Sequence, residues 1–105
     1  MNMCSFTGYL AENPRASMDR DIVRVEFMMV IYTYRTTKSG EKNRIPTYIS
    51  CEAWHTGAET LEKFATKGTK LSIHASVKNI SKANNSLIFR INEFDFCTQD
   101  FEDDE

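Results

Sequence analysis

Between Val23 and Trp54 the chain alternates apolar and polar residues in two long runs. In the first, Val23–Tyr34, residues Val23, Val25, Phe27, Met29 and Ile31 share one parity; Arg24, Glu26, Met28, Val30, Tyr32 and Tyr34 share the other. A strand turns successive side chains to opposite faces, so the first set is expected in a core and the second on an outer face. Met28 and Val30 blur that pattern and mark a bulge or a subunit contact. In the second run, Thr47–Trp54, residues Ile49, Cys51 and Ala53 are expected inside, with Tyr48, Ser50, Glu52 and Trp54 facing out together. The stretch between, Arg35–Pro46, reads as a basic, flexible loop.

The same pattern predicts three more strands and one helix. Met3–Ala11 alternates loosely, with Gly8 marking a bulge or bend of the kind a small barrel needs. Glu12-Asn13-Pro14 is a turn signal, and Arg15–Asp21 is a polar connection. Thr56-Gly57-Ala58-Glu59 has the form of a capping box, opening a short helix over Gly57–Thr66. Leu61, Phe64 and Ala65 form its apolar side, Lys63 and Lys67 suit its dipole, and Gly68 sits where a left-handed cap belongs. Thr69–Asn79 points Leu71, Ile73, Ala75 and Val77 inward, with Lys70, Ser72, His74, Ser76 and Lys78 outward. Ser81–Asn85 is a hairpin loop. Ser86–Cys97 is the last strand, with Leu87, Phe89 and Ile91 opposite Ile88, Arg90 and Asn92. There is no internal repeat. The result is an all-β chain, a five-stranded OB-fold barrel with one short helix between strands 3 and 4.

Length and charge refine this picture. A chain of 105 residues is one domain, long enough to bury a core without staples. No apolar run is long enough to span a membrane and no secretory leader is visible, so a cytoplasmic protein is expected. Cys4, Cys51 and Cys97 are odd in number and far apart, with no C-x-x-C pair, so they read as small apolar residues and not as a disulfide framework or zinc site. The net charge of −2 is uneven: five of the fifteen acids lie in the last six residues. Residues 1–99 therefore set thirteen cations against ten acids, a mildly basic domain followed by an acidic tail at 100–105.

Candidate chemistry concentrates in the basic stretch. Arg35, Lys38, Lys42 and Arg44 surround a single acid, Glu41, and Tyr34 and Tyr48 flank them. Aromatics set in a basic surface suit a polymer with flat bases and a charged backbone. Every base has a π-face, so such a surface binds single strands with little sequence preference. Tyr32 shares the parity of Tyr34. Trp54 shares that of Tyr48. Lys78 and Arg90 are outer-face phosphate candidates. His55 and His74 are isolated from carboxylates and cysteines at ligand spacing, Thr37–Gly40 lacks the P-loop order, and no nucleophile–base pair stands out. The expectation is a binding protein, with no enzyme activity, metal or cofactor.

Several segments resemble the bacterial-type single-stranded DNA-binding protein (SSB) family. Phe6-Thr7-Gly8-Tyr9-Leu10-Ala11-Glu12-Asn13-Pro14 is similar to that family's opening strand and turn. Ser39-Gly40-Glu41 resembles the tip of its long hairpin, and Lys67-Gly68-Thr69-Lys70-Leu71-Ser72-Ile73 its segment after the helix. The resemblance covers about residues 3–97. It implies base stacking at Tyr34, Tyr48 and Trp54, and places Lys82 where the family has another aromatic platform. It implies single-stranded DNA as ligand, work in DNA replication, recombination and repair, and a homodimer or homotetramer. The tail Asp100-Phe101-Glu102-Asp103-Asp104-Glu105 lacks the family's linker and its terminal Pro-Phe, yet remains a candidate dock for replication proteins. The compact form suits a phage or plasmid member, in a bacterial cell or a phage-infected host. Two other readings use the same barrel: a primosome-type replication accessory protein, and a protein-interaction module docking through its tail.

Overall fold

The structure, a computed structural model, describes residues 1–81 and 83–97. Lys82 and the acidic tail therefore lie outside the described residues. In order, the elements are β1 (Cys4–Leu10), β2 (Arg15–Asp19), β3 (Ile22–Thr36), β4 (Lys42–Trp54), α1 (His55–Phe64), β5 (Lys70–Asn79) and β6 (Leu87–Phe96). The strands run β1-β5-β6-β4-β3, and β3 returns to β1 through Tyr9↔Val30 and Leu10↔Met29, which closes a five-stranded barrel. All pairings are antiparallel except β4 with β6, joined in parallel at Cys51↔Phe89 and Glu52↔Arg90. With β2 counted, the helix lies between β4 and β5; among the barrel strands alone it follows the third.

β2 was not expected. Arg15–Asp21 reads as a polar connection, but Arg15–Asp19 pairs along Ile22–Glu26 as a sixth strand outside the barrel. All five of its residues are exposed, so its own pattern carries no strand signal. Its pairing follows from a tight hairpin: Arg20 and Asp21 both take positive φ, 52° and 69°. Two such residues give a turn whose twist matches that of the strands it joins.

Alternation places the core correctly in most of the barrel. Val25, Phe27, Met29, Cys51, Ala53, Leu71, Ile73 and Ala75 are buried together, with Ala58, Leu61 and Ala65 closing one end. Burial pushes the Cys51 thiol up to about 12, consistent with an inert packing role. Val30 breaks the expected parity and is buried. β1 crosses directly over it at Gly8, where an added β-carbon would overlap the Val30 carbonyl oxygen. Gly8 thus marks a close approach of two backbones, as the barrel seam demands. Gly8→Ala is expected to destabilise the fold by about 1–3 kcal/mol, read as a lower denaturation midpoint. An unchanged midpoint would show that the seam can relax.

The helix differs from expectation at both ends. It begins at His55, whose φ is 61°, and Trp54 is its N-cap, with no side-chain cap bond. Thr56 therefore lies inside the first turn and cannot form the capping box with Glu59. The C-cap is Ala65; Gly68, at φ 94°, belongs to the following turn. Phe64, expected on the apolar side, is 67% exposed.

Candidate nucleic-acid interface

Most of the expected loop Arg35–Pro46 is strand. β3 and β4 pair without a break from Arg24↔Trp54 to Thr36↔Lys42, leaving only a tip at 37–41. The tip is fixed by bonds from Thr37 N to Glu41 O (2.8 Å) and from Gly40 N to Thr37 O (3.0 Å). Gly40 takes φ 90°, where glycine carries no steric cost. Beyond Ile31↔Thr47 this pair stands as a two-stranded ribbon, so Pro46, which has no N–H to donate, sits on a free edge.

Strand geometry then orders the candidates. Arg35 is exposed on β3 opposite Asn43, and Lys38 is exposed at the tip. Val30↔Tyr48, Tyr32↔Pro46 and Tyr34↔Arg44 are direct partners, and partners share a face. Cations lie on the diagonals. The Arg44 guanidinium is 4.0 Å from the Tyr32 ring centroid, and Lys42 Nζ is 5.7 Å from that of Tyr34. Tyr32 is thus half-buried with one face already taken, whereas Tyr34 and Tyr48 are 63% and 57% exposed.

A cleft of about 710 Å³ opens beside this ribbon; Arg35, Lys38 and Lys42 do not line it. The ribbon and β4 supply Tyr32, Tyr34, Arg44 and Tyr48. Its far wall is Thr7, Tyr9, Lys67, Gly68 and Lys70, and its floor includes Leu10, Ala11 and Val30. Among the described residues no carboxylate borders it. The sequence announces the far wall only faintly: Lys67 reads as serving the helix dipole, and Tyr9 has no basic neighbour in the chain. Its signal was there, since Tyr9 lies opposite in parity to the core residue Leu10.

Trp54, Lys78 and Arg90 belong elsewhere. Trp54 lies six residues along β4 from Tyr48, about 20 Å at strand rise, and does not line the cleft. It is half-buried, with the guanidinium carbons of Arg24 and Arg90 at 5.5 and 5.6 Å from its ring centroid. Its Nε1 is buried without a hydrogen-bond partner among the described residues. Beside it Glu52, expected to face water, is only 2% exposed. Glu52 Oε1 accepts from Arg24 Nε (3.1 Å) and Nη2 (2.8 Å), while Oε2 pairs with Lys78 Nζ at 2.8 Å. Burial pushes the Glu52 carboxyl up, but Lys78 and Arg24 outweigh it and hold the group below its ordinary value. Arg24 also reaches Glu26 at 3.1 Å, and its own pKa is raised, first through that bond.

Among the described residues no cluster of His, Cys, Asp and Glu could hold a metal ion, and no helix is long and apolar enough to cross a membrane. His74 Nδ1 lies 2.8 Å from Ser5 Oγ across the β1–β5 pair, on an exposed sheet face.

Neither a protein-family model nor a curated protein matches the chain by sequence. Solved structures do match by shape. The small single-stranded DNA-binding protein of Streptomyces coelicolor superposes with a TM-score of 0.78 at 12% identity, over 92% of this chain and 95% of that one. The wild-type single-stranded DNA-binding protein of Thermus aquaticus gives 0.76 at 15%, over 94% and 51%. The barrel is the OB fold of bacterial single-stranded DNA-binding proteins. The OB fold of the priB protein from Ralstonia solanacearum is also similar, at 0.72 and 14% identity, over 92% and 99%. The chain spans about half the length of the Thermus protein.

Proposed function

We propose that this OB-fold chain binds single-stranded DNA without regard to sequence and serves replication, recombination and repair by covering unpaired strands. The observation that carries the reading is the cleft, where two largely exposed tyrosines, Tyr34 and Tyr48, stand among cations and, among the described residues, no carboxylate lines the wall. Bases stack on the rings; Lys42, Arg44, Lys67 and Lys70 meet phosphates, with Arg35 and Lys38 extending the positive rim. The likeness to proteins named for single-stranded DNA binding supports the same reading. Trp54 and Arg90 make a secondary contact, since a base would have to share the Trp54 ring with two arginines, Arg24 and Arg90. Lys78 contributes least, because it is committed to Glu52. A homodimer or homotetramer belongs to this reading, because Cys4–Thr7 of β1 pairs on one side only among the described residues.

The test is a fluorescence titration. Oligo-dT is expected to quench tyrosine and tryptophan emission, reversibly with salt, while duplex DNA hardly changes it. Four cations each neutralising one phosphate give a slope of log affinity against log salt of about −3. Equal response to duplex would indicate a generic charge sink, and no response to either would indicate a protein-interaction module. A primosome-type accessory role is the second reading, favoured by the match to the priB protein along nearly its whole length. That role predicts the same quenching together with capture of a replication-restart partner.

A further inference from the structure

We infer that the inner end of the cleft, where Tyr9 meets Lys70, seats a further nucleotide, so that bound DNA runs from the ribbon across β1 and β5, with Trp54 only a secondary contact. This rests on the reading of the cleft as a single-stranded DNA site.

Three observations carry it. Tyr9 stands at the seam: it pairs with Lys70 of β5 on one side and with Val30 of β3 on the other. That junction lifts its ring, 36% exposed, into the same cleft as Tyr34 and Tyr48. Second, the ring has the surroundings of a base-and-phosphate station. Lys70 Nζ lies 5.8 Å from its centroid, and the Tyr32 ring is 6.1 Å away, tilted by 54°. Leu10 and Val30 give an apolar floor, and Lys67 a second ammonium at the rim. Apolar walls with a few convergent charges are what a small planar ligand requires, and a volume of about 710 Å³ is ample for it. Third, the alternative station at Trp54 offers a less open ring. At Trp54 the guanidinium carbons of Arg24 and Arg90 already stand 5.5 and 5.6 Å from the ring centroid, and Arg24 is itself paired with Glu26 and Glu52. Among the described residues no carboxylate borders the cleft at the Tyr9 end.

Tyr9→Leu keeps the bulk and removes the flat ring; Lys70→Gln removes one charge. Each is to be made in the full chain, with folding checked by circular dichroism. Tyr9→Leu is expected to weaken oligo-dT binding at least about 5-fold. Lys70→Gln is expected to flatten the salt slope by about 0.7. Both effects should exceed that of Trp54→Ala, and photocross-linking of oligonucleotides carrying 5-iodouracil should label Tyr9. If the two variants bind as wild type while Tyr34 and Tyr48 variants lose affinity, the path is wrong and the cleft reading is confined to its ribbon wall. If labelling falls on Trp54 and spares Tyr9, the path is likewise overturned. If the unaltered protein binds no oligo-dT, the cleft reading itself fails.

Discussion

Replacing Tyr34 and Tyr48 together with alanine is expected to weaken oligo-dT binding by at least about 30-fold. Stacking on an aromatic contributes about 1–3 kcal/mol per base, so two independent losses sum to about 2–6 kcal/mol. The rings lie on the same face of neighbouring strands but are not direct partners: Tyr34 faces Arg44, and Tyr48 faces Val30. Near-additivity is therefore expected. The fold should be indifferent. Both rings are more than half exposed, and substitutions at such sites change stability by no more than about 0.5 kcal/mol. A binding titration paired with a thermal melt separates the outcomes. Unchanged affinity would remove the two tyrosines from the interface, and a large drop in melting temperature would mean they support the fold.

Glu52→Gln should act in the opposite way, on stability more than on binding. Glu52 lies on β4 at the parallel junction with β6 that helps close the barrel. Its carboxylate holds Arg24 of β3 and Lys78 of β5, so one side chain staples three strands at that closure. Glutamine keeps an acceptor for Arg24 but turns a donor toward the Lys78 ammonium. Breaking a fully buried pair costs about 3–5 kcal/mol. Arg24 and Lys78 keep partial access to water, so about 1–3 kcal/mol is expected here. For a domain this size each kcal/mol is about 4–8 °C in Tm. The pH dependence has a definite sign. The folded-state pKa of Glu52 is depressed, so its contribution is complete above the ordinary carboxylate range. It is lost as pH falls through the depressed value. The gap between wild-type and variant melts should be full at pH 7 and should close in strong acid. Equal melts at pH 7, or a gap that persists at the lowest pH, would remove the staple.

These two sites mark where the sequence was legible and where it was not. Tyr34 and Tyr48 could be placed because a period of two assigns faces, and because basic neighbours are visible in the chain itself. Glu52 could not. Alternation assigns a carboxylate to water, and nothing near it in sequence announces Arg24 and Lys78, which arrive from other strands. Val30 failed for the same reason: the segment that covers it, around Gly8, is distant in sequence. Arg15–Asp19 became a strand by pairing with β3, with no apolar rhythm of its own. The ribbon reads as a loop because Lys42–Arg44 is polar throughout, and a ribbon standing off the core has no buried face to leave a pattern. The far wall of the cleft joins Tyr9 to Lys67 and Lys70, which only barrel closure brings together.

The tyrosines of the ribbon are mounted on strands, and this fixes their pitch. Tyr32 and Tyr34 are two residues apart on one face, so their mounts are separated by about 6.7 Å. Neighbouring bases in a regular helical stack rise by about 3.4 Å. A polymer that engages such a ladder must stretch and surrender its own internal order. Thymine tracts, which hold little order to begin with, conform readily, whereas adenine tracts must first be pulled apart. Under the proposed function, such a spacing would favour pliant strands over stacked ones without reading any base edge.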